Sequence, residues 1–115
     1  MTKLFVAVVS ALLATASNAA PIDVRGSRSC RDWQEQARYA KSATEMNKVP
    51  LLISKNWFLG YLSGRAEESG KNLLKGTDND SIFLWLDNYC RANPGNALEN
   101  AGAELMRELP QQKRL

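Results

Sequence analysis

The sequence predicts an all-α fold, a small four-helix domain with one disulfide, and three observations carry that prediction. Apolar residues recur at three- and four-residue spacing in four segments, and no alternating stretch is long enough to argue for a strand. Two cysteines, Cys30 and Cys90, stand 60 residues apart behind an export signature. A length of 115 residues sets one domain as the ceiling.

The export signature occupies residues 1–19. Lys3 supplies the positive n-region. Residues 4–16 are apolar except for Ser10 and Thr15, and small residues at Ser17 and Ala19 fit cleavage after Ala19. The stretch is shorter than the roughly 20 apolar residues that a membrane span needs. Cleavage leaves 96 residues with a net charge of +2, and no other segment is apolar enough to span a bilayer. The expected location is an oxidising compartment such as a bacterial periplasm, with no membrane attachment after signal removal.

Residues 20–28 lack periodicity and contain Pro21 and Gly26, so they are expected to form a flexible leader before a single helical domain at 29–115. Ser29 can cap the first helix, with Asp32 and Glu35 placed to suit its dipole. Trp33, Ala37, Ala40 and then Ala43 or Thr44 continue the period until Asn47, Lys48, Val49 and Pro50 end it. The second helix is expected from Pro50 to about Glu68. Leu52, Ile53, Trp57, Tyr61 and Gly64 share one side of it. Gly60 and Gly64 there suggest close approach of another backbone, because each costs a helix about 1 kcal/mol against Ala.

The third helix, residues 81–90, is the most apolar segment. Thr77 with Asp80 resembles a capping box, and Asp78 or Asp80 can also cap. Ile82, Trp85, Leu86 and Tyr89 lie on one face while Phe83, Leu84 and Cys90 spread around the others, the pattern of a central helix covered on more than one side. Asn93 and Pro94 read as cap and first residue of the fourth helix, with Leu98, Ala101, Gly102, Leu105 and Leu109 inward, Glu104 and Glu108 outward, and Pro110 as the stop.

In an exported chain the two cysteines read as a structural bridge between Cys30 and Cys90, worth about 4 kcal/mol by the chain-entropy argument for so long a loop. There is no Cys-x-x-Cys and no His to act as a base, so a redox or nucleophilic thiol has no support. The chain has 15 Lys and Arg against 12 Asp and Glu, for a net charge of +3. The basic residues are scattered from Arg25 to Arg114 without a run, so nucleic acid is not an expected partner. The absence of His removes most hydrolytic and zinc chemistry. Asp78, Asn79 and Asp80 have the opening rhythm of a calcium loop but lack its Gly and closing Glu. No enzyme activity, cofactor or metal is therefore expected. Large apolar residues are dense on two helices, and Trp57, Phe58, Tyr61, Phe83 and Trp85 are the expected protein-binding surface, for a second copy, an unfolded client or a toxin.

Ser29-Cys30-x-x-Trp33, Trp57-x-x-Gly60-Tyr61 and Cys90-x-x-Asn93-Pro94 with Leu98 and Ala101 resemble the HdeA/HdeB family of small periplasmic proteins. The likeness runs from about Ser29 to Leu109. It implies an all-helical fold, a Cys30–Cys90 bridge, no catalytic residue, and acid-stress chaperone activity in which a neutral-pH dimer dissociates and exposes apolar surface. Immunity proteins against amidase toxins of type VI secretion are similar in size, compartment and helical content, which makes occlusion of such a toxin the alternative expectation.

Overall fold

The computed structural model describes residues 22–42 and 44–112; the export signature and Ala43 lie outside them. Among the described residues four α-helices form, α1 Cys30–Tyr39, α2 Val49–Ser69, α3 Asn79–Ala92 and α4 Leu98–Gln112, with a 3₁₀ turn at Glu45–Lys48 leading into α2. There is no strand among them, only one isolated bridge between Ser29 and Ala97. The chain is thus a small all-α domain with a Cys30–Cys90 disulfide, whose Cα atoms are 5.0 Å apart.

Each helix starts where a side chain meets the first unpaired amides. The Ser29 hydroxyl accepts the Asp32 N–H at 3.0 Å at the head of α1. Pro50 lies in the first turn of α2, where its missing donor costs nothing. At α3 the choice among caps falls on Asp78, whose carboxylate accepts the Ser81 N–H at 2.7 Å. At the far end of α2, Gly70 takes φ 68° and closes the helix in the left-handed conformation that glycine reaches without strain.

α1 ends at Tyr39, several residues before the expected stop at Asn47. The chain turns there, with the Ser42 N–H and hydroxyl both donating to the Tyr39 carbonyl, at 3.2 and 2.6 Å. The other boundary correction concerns Asn93 and Pro94. Asn93 caps the C-terminus of α3, its backbone N–H and its side-chain amide both donating to the Tyr89 carbonyl at 2.9 and 3.0 Å. A residue before proline is pushed out of the helical region, and Asn93 sits at φ −133°, ψ 59°. The pair therefore ends α3, and α4 begins at Leu98. Pro110 does not stop α4, which continues to Gln112. So near the end, proline removes only one ladder bond.

The core lies where the four helices meet. Trp33 and Cys30 enter from α1, Phe58 and Leu62 from α2, Ile82, Leu86 and Cys90 from α3, and Leu98, Ala101, Leu105, Met106 and Leu109 from α4. The inward stripe of α2 is thus Ser54, Phe58 and Leu62, one step round from the stripe expected. Leu52 and Ile53 face outward instead, 55% and 59% exposed. Ser54 is accommodated because its hydroxyl donates to the Gln36 side-chain oxygen at 2.6 Å, tying α2 to α1. α3 is covered on fewer sides than expected, since Leu84 is 61% exposed.

The glycine reading also changes. Nothing among the described residues lies within 4 Å of a Cβ placed at Gly60 or Gly64. The close approach is at Gly102 on α4, where a Cβ would stand 2.6 Å from the Tyr61 ring. α2 and α4 pack together at that point.

From Arg25 onward the leader makes hydrogen bonds to the helices. The Arg28 carbonyl accepts the Leu98 N–H and the Asn96 carbonyl accepts the Cys30 N–H, both at 2.8 Å. The Ser27 hydroxyl bonds to the Glu99 carboxylate. Residues 25–29 thereby cap the start of α4, a role that no local pattern in the leader announces.

Candidate functional site

Apart from Ile22 and Leu84, the exposed large apolar side chains among the described residues lie where α1 ends and α2 begins. Met46 of the 3₁₀ turn is 76% exposed, and Val49, Leu52 and Ile53 follow it on the outer side of α2. Beside them runs an open groove of about 530 Å³ lined by Ala40, Glu45, Lys48, Val49, Leu51, Leu52 and Lys55. Glu45 and Lys48 pair at 2.9 Å on its rim. The Lys55 ammonium lies 4.9 Å from the centre of the Phe83 ring, so it shields that aromatic face. The groove combines apolar walls with charges of both signs.

The five residues expected to form a binding surface are scattered by the fold. Phe58 is fully buried and is a core residue. Phe83 is half-buried with its ring centre 6.2 Å from that of Trp33. Trp85 is half-buried too. It stacks on Tyr89 with centres 5.3 Å apart, and its indole N–H donates to Glu108 at 2.8 Å. Glu108 is therefore an acceptor between α3 and α4 and not the solvent-facing residue expected. Trp57 and Tyr61 stay together as a stacked pair with centres 5.2 Å apart. The Trp57 N–H donates to the Arg25 carbonyl at 2.8 Å and Gly26 lies against the same indole, so these two residues cover part of Trp57.

Cys30 and Cys90 are buried and bonded to each other, and no free cysteine remains among the described residues. Among these residues no three His, Cys, Asp or Glu side chains group to hold a metal ion. No helix among them is long and apolar enough to cross a membrane. The backbone N–H of Ser81 holds the Asp78 carboxyl below the ordinary 3.8, as expected of a charged cap.

Sequence reasoning missed Met46, Val49, Leu52 and Ile53 as surface. The spacing groups Leu52, Ile53, Trp57, Tyr61 and Gly64 on one side of α2, while the buried residues are Ser54, Phe58 and Leu62. The stripe that does face inward contains Ser54, whose partner Gln36 lies on another helix and left no local signal. Compared with family models, characterised proteins and solved structures, the chain matches none.

Proposed function

We propose that the protein is a non-enzymatic polypeptide-binding protein of HdeA type, exported to the periplasm and acting there as an acid-stress chaperone. The observation that carries the reading is the outward apolar ridge of Met46, Val49, Leu52 and Ile53 beside an open groove. Contiguous apolar surface of this kind marks interaction sites on small soluble domains. The charge balance supports acid responsiveness: protonating all 12 carboxylates takes the chain without residues 1–19 from +2 to +14. Self-repulsion then favours expansion, while the Cys30–Cys90 bridge, buried in the core, keeps the chain from dispersing. Expansion exposes further apolar side chains to clients that are themselves unfolding.

The test is dye binding and client aggregation at pH 7 and at about pH 2–3, where carboxylates as a class are protonated. Leu52→Ser with Ile53→Ser should weaken client protection without loss of fold, since both side chains are exposed. Tight binding of one specific protein at neutral pH, with no protection in acid, would instead identify a toxin-neutralising role.

A further inference from the structure

We infer that residues 25–28 are a removable strap, and that the surface beneath it is a docking site for a short polypeptide segment that bends at a glycine followed by a hydroxyl residue. That surface is built from Trp57, Tyr61 and the first turn of α4. The inference rests on the reading that this protein binds polypeptide, and it names where and in what form.

The strap itself displays the chemistry that the surface accepts. The Arg25 carbonyl takes the Trp57 indole N–H, and the Arg28 carbonyl takes the Leu98 N–H, each at 2.8 Å. Between them Gly26 lies against the indole at φ 77°, and a Cβ there would come within 3.0 Å of Trp57 Cδ1 and Nε1. The Ser27 hydroxyl meets the Glu99 carboxylate. Two of these contacts use backbone atoms, one requires a small residue, and one requires a hydroxyl. Main-chain hydrogen bonds give affinity in peptide recognition, and side-chain fit at a few positions gives specificity; here the fit is the glycine against the indole.

The strap is also weakly held. None of residues 22–28 is buried, whereas Cys30, two positions further on, is fully buried and crosslinked. Segments secured by polar contacts without buried apolar side chains open locally at little cost. Opening pivots at the disulfide and leaves the Trp57 indole N–H, the Leu98 N–H and the Trp57–Tyr61 stack free to take a segment from another chain. While docked, the strap competes at the high effective concentration of a tethered ligand.

The experiment uses the oxidised chain of residues 20–115 and a synthetic peptide with the sequence of residues 22–29. Gly26→Val expels the strap through its backbone conformation and its contact with the indole, without touching the core. The variant should bind the peptide at least about tenfold more tightly than the parent, read by tryptophan emission. A control peptide with Val in place of Gly should not bind. Equal affinity for parent and variant, or equal binding of both peptides, overturns the inference. Hydrogen exchange on the unaltered chain gives an independent reading: the Leu98 amide should exchange faster than the Leu86 amide in α3. Equal rates would mean that the strap opens only with the whole fold, which also overturns it. Peptide binding without client protection in acid would refute the chaperone reading and keep the docking site; client protection without peptide binding would do the reverse.

Discussion

Each tryptophan is fixed at both its apolar body and its polar edge. Trp33 is buried and donates its N–H to the Asp87 carboxylate at 2.8 Å, linking α1 to α3. Asp87→Ala leaves that donor without its partner, so it should cost about 1–3 kcal/mol in urea denaturation. Asp78 supplies the residue-scale pH dependence. Its carboxyl is held below 3.8 in the folded chain, so its stabilisation is fully present above 3.8 and is lost as pH falls through the lower folded value. The thermal midpoint of Asp78→Ala should accordingly lie below that of the parent at pH 6, and the gap should close in strong acid. Caps of this kind were legible from sequence because donor and acceptor sit three residues apart. The tryptophan partners were not, because Asp87 is 54 residues from Trp33 and Glu108 is 23 from Trp85.

At the scale of elements, the seam between α2 and α4 is set by one glycine and not by the pair that stands out in the sequence. Gly102→Ala would bring a methyl within 2.6 Å of the Tyr61 ring, which is already stacked on Trp57, and should destabilise by about 1–3 kcal/mol. Gly60→Ala and Gly64→Ala meet nothing among the described residues and lie in mid-helix, so each should stabilise by about 0.5–1 kcal/mol. Chemical denaturation of the three variants checks the contrast; a stabilised Gly102→Ala would contradict the packing. Helical periodicity made all four helices legible. It could not choose between two adjacent stripes on α2, because Ser54 occupies the inner one, nor foresee that Pro94 ends one helix rather than starting the next.

For the whole molecule, the disulfide joins the start of α1 to the end of α3 across 60 residues, and both sulfurs lie in the core. Its reduction should lower stability by about 4 kcal/mol, seen as a lower urea midpoint in the presence of reductant. This tether was the most legible feature, since two cysteines admit a single pairing. The apolar ridge was legible only as an excess of large residues; its place depended on which side of α2 the core claimed. Under the proposed function, that ridge, the tether and the carboxylate count belong to a small bundle that loosens in acid without coming apart. The most direct test is light scattering from an aggregation-prone client at about pH 2–3, with the oxidised protein present and absent. Suppressed scattering in acid, weaker at pH 7 and weaker again after reduction, is the predicted result. Scattering unchanged by the oxidised protein in acid would contradict it.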